Sequence, residues 1–261
     1  MPPLGYAGTV EAIKRDDIIE YYGSFVLPSS MVIAATGDIN REDFIAEIKR
    51  LFGAVKETDV KFPPPSPRVN LQKSEEVTDS MDREQSIILI GFPAVKLTDN
   101  DRYAFEVIDS IMSGSDGRLF NNVRSSLGVS YSLGSLFSPG IEPGCHIFYA
   151  ITTSESIDIA KEAILKEIKR LKTDSVQEKE LEAAKRYLAA SNIMDLESNA
   201  SLNLRMAFDE LYSLGYDNFE KYEAGVNAVT VGQIKRVANQ YFDADKCLIV
   251  TIYGKGKGKA Q

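Results

Sequence analysis

Histidine is nearly absent: the 261 residues hold a single one, His146. Zinc hydrolysis needs about three protein ligands, commonly two histidines close together on one helix, with a carboxylate as base. One histidine excludes both H-E-x-x-H and H-x-x-E-H, and with them a self-contained zinc peptidase of either kind. Cysteine is almost as scarce. Cys145 and Cys247 match no local metal or redox spacing, so both read as buried apolar residues in strands, with a single disulfide left open. Neighbours on a strand face opposite ways, so Cys145 and His146 make a poor shared metal site with Cys247. Long apolar runs are missing too. No stretch reaches the roughly 18 apolar residues of a membrane-spanning helix, and the N-terminal residues lack the charged start and apolar stretch of a secretion signal. The compartment stays open. Basic charge is in deficit, with 30 Lys and Arg against 38 Asp and Glu and a net charge of -8. That balance argues against nucleic acid and anionic membranes as partners, since both need a basic surface. The basic cluster Lys255, Lys257 and Lys259 reads as a frayed tail.

What is present is a full complement of core formers, 44% hydrophobic against 26% charged. Thr9 is a candidate N-cap for a helix carrying Ile13, Ile18, Ile19, Tyr22 and Phe25 up to Pro28. The apolar run 31–36 suits a buried strand ending in Gly37-Asp38. Asn40 caps a helix whose apolar face is Phe44, Ile45, Ile48, Leu51 and Phe52. Periodicity then stops where Pro63, Pro64, Pro65 and Pro67 crowd together, the mark of a stiff linker.

The longer part opens with a strand at 86–92 and a helix carrying Tyr103, Phe105, Val107, Ile108 and Ile111. A Gly-rich connection, 113–117, leads into a helical stretch at 118–127. Strands around 129–137 and 145–153 flank the turn signals Pro139-Gly140 and Pro143-Gly144, a hairpin signature. Three or more helices follow, two opened by capping boxes at Ser175/Glu178 and Thr230/Gln233, and the chain closes on a strand at 247–253. This order is α+β, a two-layer sandwich with an antiparallel or mixed sheet. An internal echo runs through it. Residues 17–33 resemble 233–249 at an offset of 216, pairing Ile18 with Ile234, Phe25 with Tyr241 and Val32-Ile33 with Leu248-Ile249. The echo divides the chain into 1–55 as the tail of a first module, a linker at 56–69, a complete second module at 70–255 and a flexible tail at 256–261.

No G-x-S-x-G elbow accompanies His146, and Gly114-x-x-Gly117 lacks the Lys-Ser/Thr of a phosphate loop. The remaining chemical candidate is Arg124-x-x-x-Gly128-x-x-Tyr131. By chemistry alone it has two readings: a solvated arginine and a half-buried tyrosine, or a guanidinium and a phenol offered together to a peptide carbonyl or developing oxyanion.

Residues 113–135, with the Gly-rich turn, Arg118-Leu-Phe-x-x-Val-Arg124 and the R-x-x-x-G-x-x-Y ending, resemble the C-terminal, inactive module of the pitrilysin and insulinase-type (inverzincin) zinc metallopeptidases, including processing-peptidase-like members. Leu4-Gly5, Gly8-Thr9-Val10-Glu11-Ala12-Ile13, Tyr21-Tyr22, Pro28-Ser-Ser-Met31 and Gly37-Asp38 are similar to the second half of that family's N-terminal module. The resemblance implies a processing-peptidase-like metallohydrolase fold and a module inactive alone. It implies a substrate-holding role for Arg124 and Tyr131, a supporting turn at Gly114, Gly117 and Gly128, and no metal ligand in this chain. Zinc would then lie in a partner module, from the same parent chain or a separate subunit, with peptide as substrate. The alternative is a peptidase-like scaffold subunit with no substrate role. Because the rest of the first module's sheet is missing, the edge at 31–36 is expected to be covered by the second module or by another copy of the chain.

Overall fold

Alternation builds the centre of the fold: along Ser86–Pro93 every second side chain is buried, with Ile88, Ile90 and Phe92 turned inward. The structure is a computed structural model describing residues 4–55, 71–113, 117–125 and 130–255, with backbone alone at 25, 124, 125, 130 and 131. The Pro-rich linker and the 256–261 tail expected from the sequence lie outside the described residues. In chain order the elements are α1 (Ala7–Glu11), α2 (Arg15–Phe25), α3 (Arg41–Phe52), β1 (Glu75–Met81), β2 (Ser86–Pro93), α4 (Arg102–Ser113), β3 (Ser130–Ser138), β4 (Cys145–Thr152), α5 (Ile157–Thr173), α6 (Glu178–Asp195), α7 (Asn199–Leu211), α8 (Asn218–Asn227), α9 (Val231–Tyr241) and β5 (Leu248–Gly254).

Contacts group these into two units, Met1–Ser66 with Leu196–Phe219, and Pro67–Asp195 with Glu220–Gln261. The second unit is a two-layer α+β module with a five-stranded mixed sheet in the order β1-β5-β2-β4-β3. β1 and β5 run parallel, and the other pairs are antiparallel. α4 and α5 lie on the sheet with α9 beside them. Between the layers Phe92, Phe105, Phe148 and Phe242 are fully buried, each worth about 1.5–3 kcal/mol of apolar transfer. Thr230 caps α9 as expected: its hydroxyl accepts from Gln233 N at 3.2 Å and Gln233 Oε1 accepts from Thr230 N at 2.9 Å. α6 starts at Glu178, later than the Ser175 signal: its first α-helical backbone bond runs from Leu181 N to Gln177 O, and Val176, before it, is buried in the core. β1 was missed. Its side chains, EEVTDSM, are exposed throughout, so no apolar alternation betrays it, and only its pairing with β5 makes it a strand.

The first unit holds α1, α2, α3 and α7. Thr9 does not cap one long helix. Its hydroxyl bonds Tyr6 N at 2.9 Å inside α1, and a second helix begins at Arg15 with Asp17 accepting from Lys14 N at 2.9 Å. Asn40 caps α3 through Asp43 N at 3.0 Å. The strand expected at 31–36 is absent. The segment is half exposed, and no backbone hydrogen bond joins 32–36 to another described residue. A strand is defined by its ladder, and no neighbour among the described residues supplies one.

Candidate functional site

Ser113, at the end of α4, opens the segment that the sequence marks as functional. Within it a π-helical turn, Phe120–Ser125, carries Arg124. The turn packs against α5 and β3. β3 then pairs with β4, but Ser130 lies opposite Thr152 and Ser132 opposite Ile151, so the ladder slips by one residue at Tyr131. Single π-turns and bulges both recur at functional sites, since each breaks a regular repeat. Here one falls on each of the two residues named from the sequence. Gly117 is buried just before the turn. Gly114 and Gly128, and the side chains of Arg124 and Tyr131, lie outside the described residues. Of the 118–127 helix expected from the pattern, 118–125 are helical, widened to a π-turn over Phe120–Ser125, and 126–127 lie outside the described residues.

Three groups beside this segment went unread in the sequence. Arg118 grips Glu180 of α6 in a fork, Nε to Oε1 at 2.7 Å and Nη2 to Oε2 at 2.8 Å. Ser113 meets Ser135 of β3, their Oγ atoms 2.6 Å apart, and Ser135 Oγ donates to Asp109 Oδ1 at 2.7 Å. No local motif announces these pairs, because each joins residues far apart in sequence.

His146 is fully buried, 4.7 Å from the Phe148 ring and 5.2 Å from the Phe242 ring, centroid to centroid. Neither ring nitrogen has a hydrogen-bond partner among the described residues. Burial pushes its pKa down to about 3, so its 3.6 Å approach to Asp109 Oδ1 joins a neutral ring to a carboxyl and is not an ion pair at neutral pH. Asp109 is shifted the other way, up to about 6, chiefly by burial; the Ser135 hydroxyl opposes the rise and nearby Glu106 adds to it. Cys247 is buried but Cys145 is half exposed, a correction to the sequence reading that follows from the alternation of β4, where Cys145 shares the less buried face with Ile147 and Tyr149, and both are free thiols. Among the described residues no three His, Cys, Asp or Glu side chains are grouped to hold a metal ion. Zinc does not fit here: the one imidazole is enclosed by phenylalanine rings rather than by further ligands.

Over the described residues the second unit is thus a mixed sheet under a helical layer, an α+β module whose backbone irregularities fall on the segment of Arg124 and Tyr131. The model of the family described as the Peptidase M16 inactive domain matches residues 12–188, more than half of the chain, and the chain belongs to that family. It is 26% identical over 248 residues to "Uncharacterized zinc protease YmxG" of Bacillus subtilis (strain 168), a match covering 95% of this chain and 60% of that protein. Among solved structures, a protease from Helicobacter pylori is similar with a TM-score of 0.81 at 17% identity, covering 96% of this chain and 62% of that one. A chain of Complex III2 from Candida albicans, Inz-5 bound, has a TM-score of 0.77 at 16% identity, over 98% of this chain and 62% of the other. The chain thus spans about 60% of the length of these proteins.

Proposed function

We propose that this chain is the non-catalytic, peptide-holding half of a zinc metallopeptidase, and that Arg124 and Tyr131 support the substrate beside a zinc carried by another module. That module belongs to the same parent polypeptide or to a separate subunit. The observation that carries the reading is the character of β3. It is an edge of the sheet, it spans nine residues without one charge, and its bulge falls on Tyr131. Open edges are usually guarded against pairing with other chains, commonly by charge. The opposite edge, β1, follows that rule with Glu75, Glu76 and Asp79. β3 does not, and an extended peptide adding to it gains main-chain hydrogen bonds, with a phenol and a guanidinium available from the same segment.

Titration of fluorescein-labelled β-casein with the chain, followed by anisotropy, tests this. Saturable binding is expected, weakened roughly tenfold or more by Arg124→Ala and about fivefold by Tyr131→Phe, the scale of one charge-assisted and one neutral hydrogen bond. Adding the zinc-bearing module should yield peptidase activity that both substitutions reduce. Absence of peptide binding by the unaltered chain would favour the scaffold reading instead.

A further inference from the structure

The excursion from Ser113, at the end of α4, to Ser135, within β3, contains Arg124 and Tyr131, and its two ends meet at one hydrogen-bonded point. Ser135 N donates to Ser113 Oγ at 2.6 Å, the two Oγ atoms are 2.6 Å apart, and Ser135 Oγ donates to Asp109 Oδ1 at 2.7 Å. Each hydroxyl has one proton, which fixes the direction of the chain. Ser135 spends its proton on the carboxylate, so Ser113 donates to Ser135 Oγ in preference to the more distant Ser135 O at 3.2 Å. The relay runs from the Ser135 amide through Ser113 and back through the Ser135 hydroxyl to Asp109, leaving no member with a frustrated proton. Asp109 and Ser113 stand four residues apart on α4, hence on one face of the helix, and both close on a single strand residue that is 9% exposed. Four residues back along β3 from that grip lies the bulge at Tyr131.

We infer that Asp109 and Ser113 are positioning residues: they fix the start of β3, and so the placement of Tyr131, by locking both ends of the excursion to Ser135. The link to peptide binding rests on the function proposed above, but the anchoring itself does not. Ser113 lies at a helix end and Asp109 is partly exposed, so their substitution leaves the apolar core between the layers intact.

Hydrogen exchange read by mass spectrometry on the whole chain tests the anchoring. In Ser113→Ala and in Asp109→Ala, amides at 130–135 should exchange roughly tenfold faster or more, while those of β2 and α5 keep their rates, since a local opening leaves distant cooperative units untouched. Asp109→Asn keeps an acceptor for the Ser135 hydroxyl and should restore slow exchange. Unchanged rates at 130–135, or a uniform acceleration across the module, would overturn the inference. For the second arm, Ser113→Ala should weaken binding of fluorescein-labelled β-casein about fivefold in the unaltered background and leave it unchanged in a Tyr131→Phe background, because residues acting through one another are not additive. Equal losses in both backgrounds would assign Ser113 a general structural role and defeat the positioning claim. If the unaltered chain binds no casein, the proposed function fails, and the exchange rates alone still decide whether the grip anchors β3.

Discussion

Burial acts on two neighbouring titratable groups in opposite senses at the end of β4. His146 is neutral in the native protein and takes up its proton only near pH 3, whereas the unfolded chain takes it up near the ordinary histidine value. Its contribution to stability is therefore full above about pH 6.5 and is lost as pH falls. Asp109, raised to about 6, keeps its proton in the native protein over a range where the unfolded chain has released it. Its contribution is full below about pH 4 and is lost as pH rises toward 6. Between those values each state binds one proton on this pair, at different atoms, so the two slopes cancel. Each slope alone is about 1.4 kcal/mol per pH unit. Single substitutions should expose them: relative to the unaltered chain, Asp109→Asn loses stability on acidification from pH 6 to 4.5, and His146→Phe gains it. Urea unfolding at the two pH values measures both, and slopes identical to the parent's in both variants would refute the pairing. A solitary histidine in an apolar run reads as structural from sequence. Its opposite, Asp109, is legible only once α4 lies on the sheet.

Elements were legible where their own residues carry the pattern. β2, β4 and α4 alternate or repeat with their apolar side chains, and α9 announces its start through Thr230 and Gln233. β1 and the π-helical turn are products of their neighbours and leave no such trace. α8 shows how a neighbour can also reverse a local preference. Gly225 lies inside this helix, where alanine is favoured by about 1 kcal/mol. A Cβ at this position would come within 2.3 Å of the Tyr103 ring, which also meets Tyr222 edge-on and receives a hydrogen bond at its hydroxyl from Arg102. A ring held on two sides cannot swing away, and overpacking of this kind typically costs about 1–3 kcal/mol. Gly225→Ala is accordingly expected to lower the urea midpoint, with a net loss of about 1–2 kcal/mol after the propensity gain. A raised midpoint would show that α8 can withdraw from α4.

At the scale of the molecule the internal echo extends to the fold and then breaks at an informative place. α2 and α9 have equal length at the 216-residue offset, and each is followed by a short 3-10 turn, Pro28–Ser30 and Ala244–Lys246, at the same offset. After the second turn the chain becomes β5, bonded between β1 and β2; after the first it runs extended without a ladder among the described residues. The sequence pattern of a strand is thus present in both copies, and among the described residues only the second has pairing neighbours, which is why the residues of 31–36 predict a strand. The first unit carries the consequence: among its described residues Leu27 is the one buried apolar side chain, while Met31, Ile33, Phe52 and Val55 line an open cleft of about 180 Å³ with Pro28. Unpaired backbone next to exposed apolar side chains favours association with whatever chain can complete it. In a solution of this chain alone a second copy can supply that surface, and if it does, sedimentation velocity shows species larger than the monomer that grow with concentration. Met31→Lys combined with Ile33→Lys should return the monomer, by placing charge on both exposed positions of the segment, without altering the thermal unfolding of the second unit. A monomer at all concentrations in the unaltered chain would mean that the edge at 31–36 does not recruit a second chain.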